Sequence, residues 1–527
     1  MWAILRGPCD ENLIRAGATA APHTKRRGRW ILAATILASS MAFIDSTVVN
    51  VALPALQTHL NATALGVQWV VEAYSLLLSA FLLVGGSLGD HYGRRRIFLI
   101  GITIFAIASA CCGLAANMTQ LIIARAAQGF GAALLVPESL AIISSSFSEE
   151  ERGRAIGTWS GASAITSGIG PLLGGWLIEH VSWRAVFFIN LPIALIVILI
   201  SFRHIAETAA RDNQRVDWIG AILAVLGLGA LVYGLIESSR AGFGGLTVIS
   251  TLSAGSVLLS TFLLIEWRSS HPMLPLELFR SRSFAGTNLL TFLLYAALSG
   301  TLFFLPLNLI QVQSYSATAA GAALLPFILI MSVLSRWSGG LVTRYGPKPP
   351  LVLGPLLTAA GYTLFVFSSA GAGYWKNFFP PIAIVGLGMA ITVAPLTTTV
   401  MSSVPESQAG IASGVNNAIA RTAGLIAIAV LGTVMLTVFR GELNRQLEQS
   451  QLPPAIARSV AAQSTRLAAI TLPKNVDRAT QRSVRRAIDR AFISGFRAIM
   501  SVGAVLAFSG AVSALIFFRA PTRAGPA

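Results

Sequence analysis

Gly86-Ser87-Leu88-Gly89-Asp90-His91-Tyr92-Gly93-Arg94-Arg95-Arg96 stands between two long apolar runs. A second, degraded copy follows at Gly339-Gly340-Leu341-Val342-Thr343-Arg344-Tyr345-Gly346-Pro347-Lys348. Both copies read Gly-x-Leu-x-x-x-x-Gly-x-Lys/Arg, and each is a short basic connection between two apolar segments. Gly86 maps to Gly339, Leu88 to Leu341 and Gly93 to Gly346 at a constant offset. Farther on, Pro137 is echoed by Pro395, and Gly153-Arg-Ala-Ile-Gly157 by Gly410-Ile-Ala-Ser-Gly414. The chain is a duplicated body with a charged hinge in each half.

Composition places that body in lipid. The chain is 54% hydrophobic and 11% charged over 527 residues, where a soluble chain carries about 25% charged residues. Mean hydropathy is +0.71. Forty-eight glycines and 23 prolines suit membrane helices, in which small residues allow close packing and neighbours resatisfy freed backbone groups. A net charge of +17 invites a nucleic-acid reading. The basic residues instead cluster at the ends of apolar spans, which excludes it. The three cysteines, Cys9 and the adjacent Cys111 and Cys112, make neither a disulfide framework nor a metal spacing.

A spanning helix needs about 20 mainly apolar residues. Fourteen segments qualify, near 30–55, 66–89, 96–115, 119–146, 153–178, 183–202, 216–237, 245–267, 284–312, 318–343, 349–369, 376–404, 408–438 and 492–518. Residues 1–29 hold no apolar run of signal-peptide length, and Lys25, Arg26, Arg27 and Arg29 precede the first span. By the positive-inside rule the N-terminus is cytoplasmic. The alternation of basic and neutral loops then puts both termini in the cytoplasm and the body in the cell inner membrane. The expected fold class is an all-α polytopic membrane protein of two six-helix halves plus two inserted helices. Its parts are a cytoplasmic N-terminal segment 1–29, an N-terminal half 30–202, linker helices 203–283, a C-terminal half 284–518 and a cytoplasmic tail 519–527. Residues 441–491 read as a long outward loop despite their many arginines. Within it Ala479 to Phe492 is either a basic helix lying on the outer membrane surface or a solvated loop.

Ionisable residues inside spans are functional candidates, because each unpaired charge costs at least about 2.5 kcal/mol at mid-membrane. Asp45 lies roughly 22 Å along the first span at 1.5 Å per residue, and Arg125 is embedded in the fourth. We expect Asp45 to exchange a proton, Arg125 to set its affinity, and Gln128 to hydrogen-bond nearby. The bland alternative is a static ion pair. Glu72 and Glu138 are further embedded acids. A kink at Pro137 would expose Glu138 to a central cavity. Each either attracts a cationic substrate, carries a second proton, or is a satisfied packing carboxyl. Glu237 and Glu266 read as solvated or snorkelling at span ends. Arg421 either stabilises the core, contacts an anionic group, or bonds between helices. Phe292, Tyr295, Phe303 and Phe304 either line an apolar cavity or simply pack. No phosphate loop ends in Gly-Lys-Ser/Thr, and no histidines recur at metal spacing. No enzymatic constellation, metal or cofactor is expected, and an ion gradient is the expected source of energy.

These residues resemble the major facilitator superfamily, and in particular its fourteen-helix drug:proton antiporter branch. Gly86 to Arg95 looks like the first-loop motif, with His91 where an Arg is more usual. Arg125-Ala-Ala-Gln128-Gly129 looks like the fourth-span motif tied to proton coupling. Gly157, Gly170-Pro171 and Gly174-Gly175 look like the fifth-span antiporter motif, with Thr166 in place of a Gly. Asp45 to Pro54, Gln68-Trp69 to Tyr74, and Trp183-Arg184 with Phe187, Asn190 and Pro192 resemble further signatures of that branch. The resemblance implies alternating access, with Gly86, Asp90, Gly93, Arg94 and Arg95 forming a conformational latch. Thr343 replaces the acid in the second copy, so the latch is expected to be asymmetric. It also implies proton-coupled efflux of amphipathic or cationic small molecules. Two other readings stand beside it, export of one specific metabolite or siderophore-like compound, and a non-transporting membrane sensor. The implied partners are a small-molecule substrate, protons and lipid, and the branch includes exporters that work with a periplasmic adaptor.

Overall fold

The computed structural model describes the chain apart from residues 1–24, 148, 208–216, 270–271, 370, 372, 406–408, 451, 472–476 and 519–527. The tail 519–527 and most of the N-terminal segment 1–29 therefore lie outside the described residues, which contain helices and no strand.

The first half comprises α1 (Lys25–His59), α2 (Ala64–Tyr92), α3 (Arg94–Leu114), α4 (Met118–Ser146), α5 (Glu149–His180) and α6 (Asn190–His204). Next come α7 (Trp218–Ala241) and α8 (Leu246–Arg268). The second half comprises α9 (Arg282–Leu307), α10 (Leu325–Gly339), α11 (Lys348–Val366), α12 (Phe379–Ser402), α13 (Ala409–Gln449) and α14 (Arg478–Phe517). Local sequence sets several starts. Thr63 accepts from Gly66 N at 3.2 Å before α2, and Asn117 accepts from Gln120 N at 2.9 Å before α4. Each supplies a side-chain acceptor for an otherwise orphaned backbone donor.

The halves repeat one packing plan. α2 and α3 lie on α4 as α10 and α11 lie on α12, and α1 packs on α5 and α6 as α9 packs on α13 and α14. The same glycine crossing recurs. A Cβ on Gly101 would meet Gly131 O at 3.0 Å, and one on Gly354 would meet Gly388 O at 2.7 Å. Both hinges also turn through a glycine at positive φ, Gly93 at 99° and Gly346 at 75°, a region that costs a side chain 1–2 kcal/mol or so. We call the side with these turns the hinge side and its opposite the far side.

Among the described residues thirteen helices are long and apolar enough to cross a membrane. The expected fifth span, 153–178, is present as α5, whose 32 residues reach roughly 48 Å. α1 and the second half pack along it.

The region 441–491 departs from expectation. α13 continues to Gln449 and α14 already begins at Arg478, giving helices of 41 and 40 residues. At 1.5 Å per residue each is about 60 Å long, twice a hydrocarbon core of about 30 Å. Leu443 and Leu447 of α13 share one buried cluster with Val484, Ile488 and Phe492 of α14. The stretch Ala479 to Phe492 is thus helical, but its apolar stripe packs on α13 rather than on lipid. Only residues 450–477 connect the two helices. Within them a short turn, Ser464–Ala469, returns to the far-side end of the bundle.

α7 and α8 form a hairpin laid on one flank. α7 packs on both α2 and α13, with Leu76, Leu228, Val232 and Leu425 in one cluster. Thr433 Oγ1 donates to Leu235 O at 2.7 Å. α8 has only 17% of its apolar window buried and faces lipid. Glu266 at its end is 2% exposed and accepts from Leu274 N at 2.9 Å. It holds the following segment in place and does not snorkel.

Candidate functional site: a buried ion pair inside the first half

Asp45 of α1 and Arg125 of α4 are 0% and 1% exposed, and Asp45 Oδ2 lies 2.5 Å from Arg125 Nη1. Gln128, one turn beyond Arg125, joins them. Its Nε2 donates to Asp45 Oδ1 at 2.9 Å, and its Oε1 accepts from Arg125 Nη1 at 2.7 Å. Arg125 Nε donates to Val70 O at 3.1 Å, where α2 passes. The guanidinium carbon sits 4.2 Å from the Tyr74 ring centroid and 6.0 Å from that of Phe187, a range in which ring quadrupoles attract a cation. Asp45, Arg125 and Gln128 are therefore brought together as expected from sequence.

Sequence reasoning passed over Ser109 and named Asn190 only within the sixth-span signature; these two complete the cluster. Asn190 Nδ2 donates to Ser109 Oγ at 3.0 Å and approaches Asp45 Oδ1 at 3.5 Å. Ser109 Oγ donates to Phe187 O at 2.8 Å. Both are 0% exposed. The available signal was a lone polar side chain inside an apolar span. Five helices, α1, α2, α3, α4 and α6, thus meet at one polar cluster within one half.

The other embedded acids do not join this cluster. Glu138 is 0% exposed, so its carboxyl does not open onto a cavity beside Pro137. It lies against the hinge motif instead, where a Cβ on Gly89 would meet its Oε1 at 2.1 Å. Glu72 is also 0% exposed. It shares the α2 stripe of Gln68 and Leu76, whose partners belong to α13 and α7. Phe303 and Phe304 are core residues.

Around the hinge, Arg94 Nη1 donates to Ala141 O at 2.9 Å, and Arg95 Nη2 donates to Phe202 O at 3.1 Å. The arginines tie the turn to α4 and α6 of their own half. Gly86 leaves room for Pro137 Cβ at 3.7 Å. The Asp90 side chain lies outside the described residues, as do the surroundings of Gly157.

The fifth-span glycines serve two faces. Cβ atoms on Gly170 and Gly174 would meet Thr47 Oγ1 at 2.1 Å and Val48 Cγ2 at 2.2 Å on α1. Gly175 and Pro171 face the second half. A Cβ on Gly175 would meet Ala317 O at 2.3 Å, and one on Gly321 would meet Pro171 O at 2.2 Å. The halves therefore touch backbone to backbone on the far side, where Gln311 Nε2 also donates to Gln57 Oε1 at 2.8 Å. Between α1, α5, α9 and α10 lies a cavity of about 240 Å³, lined by Thr47, Asn50, Gly168, Pro171, Phe327 and Met331.

The 450–477 connection closes the far side. Leu467 is 3% exposed and has φ 52°; it is wedged near Gln57 and Leu65 of the first half and Phe303 and Leu436 of the second. Gln57 Nε2 donates to Arg466 O at 3.0 Å. Arg485 donates to Ala468 O at 3.2 Å and to Gln311 O. Truncating a buried leucine costs about 2–5 kcal/mol. In Leu467→Ala, amide exchange over residues 464–470 is expected to rise by at least about tenfold. Unchanged protection there would show that the wedge does not hold the cap.

Comparison with known proteins agrees with this architecture. The profile of the Major Facilitator Superfamily matches residues 35–429. The tetracenomycin C resistance and export protein of Streptomyces glaucescens is 32% identical over 514 residues, covering 96% of this chain and 95% of that protein. The multidrug resistance protein Stp of Mycobacterium tuberculosis is 35% identical over 433 residues, covering 82% and 80%. In fold, the chain is similar to a bacterial homolog of the human lysosomal transporter Spinster. That match has TM-score 0.65 and 18% identity, covering 95% of this chain and 100% of that one. This multi-pass membrane protein belongs to the Major Facilitator Superfamily.

Proposed function

We propose that the chain is a proton-coupled exporter of amphipathic small molecules, a multidrug-type antiporter. It works by alternating access across the cytoplasmic membrane, with the hinge side and both termini in the cytoplasm. The observation that carries the proton coupling is the Asp45–Arg125–Gln128 cluster, an ion pair sealed inside one half at mid-membrane. A carboxylate held this way cannot take up a proton without leaving a buried cation uncompensated. Its protonation state therefore biases the arrangement of the helices that meet there. Relatives named for drug resistance and export support the efflux direction. The proton gradient supplies the energy, and no cofactor is needed.

The experiment is reconstitution of purified protein in liposomes with an internal pH dye. Drug addition is expected to move protons, and a protonophore is expected to abolish ethidium export from cells. Export that survives the protonophore would overturn proton coupling.

A further inference from the structure

Arg421 lies in α13, three turns from its start at Ala409, and the ion-pair site does not use it. Ala418, three residues before it, packs on the first-half cluster that holds Tyr74 and Leu78, and α13 lies along α2, so Arg421 stands where the two halves face each other. Among the described residues no hydrogen bond, ion pair or ring contact meets it, and it keeps partial exposure. An arginine at this depth is costly unless water or a counter-charge reaches it. Asn417, one turn before it, is exposed, and Ser413 lies one turn farther toward the hinge side. A polar strip thus leads along α13 to the guanidinium. No described carboxylate supplies the opposite sign in this space. Asp45 is paired with Arg125, Glu138 is folded against Gly89, and Glu72 is buried on the stripe facing α7 and α13.

We infer that Arg421 anchors an acidic group of the transported molecule, a carboxylate, sulfonate or ionised phenol on an apolar aromatic body. The inference rests on the efflux reading and narrows its substrate class, since the unpartnered charge facing the inter-half space favours anions over cations. A planar guanidinium offers five donors in a fork that fits such oxygens. Tyr74 of α2 lies over Arg125, 4.2 Å from ring centroid to guanidinium carbon. An anchored anion would therefore lie along the helix whose Tyr74 covers the arginine of the proton site.

Fluorescein and rhodamine 123 share a xanthene body and differ in charge sign, so they make a matched pair of probes. Binding to the full-length protein in detergent is read by fluorescence polarisation. The wild type is expected to bind fluorescein more tightly than rhodamine 123. Arg421→Gln is expected to weaken fluorescein by about tenfold or more, the scale of a lost charge-assisted contact, and to leave rhodamine 123 unchanged. Retained rhodamine binding shows that the variant is folded, and Arg421→Lys should restore part of the fluorescein affinity. Equal weakening of both dyes, a wild-type preference for rhodamine 123, or no fluorescein binding by the wild type would overturn the anchor. So would loss of transport with both affinities unchanged, which would mark Arg421 as a gating residue. Binding that splits by charge while export ignores a protonophore supports the anchor and removes proton coupling, so the two failures are distinguishable.

Discussion

Asp45→Asn is expected to abolish drug-driven proton release and to lower protonophore-sensitive efflux by at least about 100-fold. The amide keeps the shape of the carboxylate and can still accept from Gln128, but it neither carries the charge nor exchanges the proton. Arg125, 1% exposed, then faces a neutral partner at mid-membrane. Removing one member of a buried pair costs about 3–5 kcal/mol, whereas removing both is often near neutral. The single variant should therefore also unfold at lower temperature in detergent. The double variant Asp45→Asn/Arg125→Gln should regain that stability without regaining proton release. That split separates a coupling role from a merely structural ion pair. Proton release surviving intact in Asp45→Asn would sink the coupling proposal.

Gly175→Leu should produce the second large effect through a different route. A Cβ at this position would lie 2.3 Å from Ala317 O, well inside contact distance, and that oxygen belongs to the backbone. No rotamer change relieves such a clash, so the far-side interface must part. Overpacking of this kind costs about 1–3 kcal/mol and sometimes more. At the upper end that moves a two-state balance by about a hundredfold. Spin labels at His59 and Lys376, both exposed far-side positions on opposite halves, should move apart. Transport should fall by about tenfold to a hundredfold while the ion-pair cluster stays intact. Gly321→Leu, which meets Pro171 O from the other partner, should reproduce it. Unchanged label distances in both variants would mean that this crossing does not set the closed state.

Much of the fold was legible because its signals are local. The paired hinge motifs, the apolar run lengths and the repeated glycines each need only a short window. Asp45, Arg125 and Gln128 were also readable, since a charge inside a span is rare enough to stand out alone. What escaped was tertiary. Helical spacing of Val484, Ile488 and Phe492 marks an amphipathic helix, yet lipid and a neighbouring helix offer the same apolar environment, and only the reach of α13 decides between them. Glu138 read equally as a cavity-facing acid or a packing carboxyl, and only the room that Gly89 leaves between helices decides for packing. Ser109 and Asn190 are ordinary polar residues until α3 and α6 carry them to the same carboxylate.

The hairpin of α7 and α8 makes the molecule unequal toward the membrane around it. It covers the flank where α2 meets α13, and among the described residues no second hairpin covers the flank where α5 meets α10. The cavity lined by Gly168 and Phe327 lies behind that second flank. A compound dissolved in the bilayer thus meets a double wall on one side and a single seam on the other. The two flanks therefore offer the surrounding lipid different thicknesses of protein.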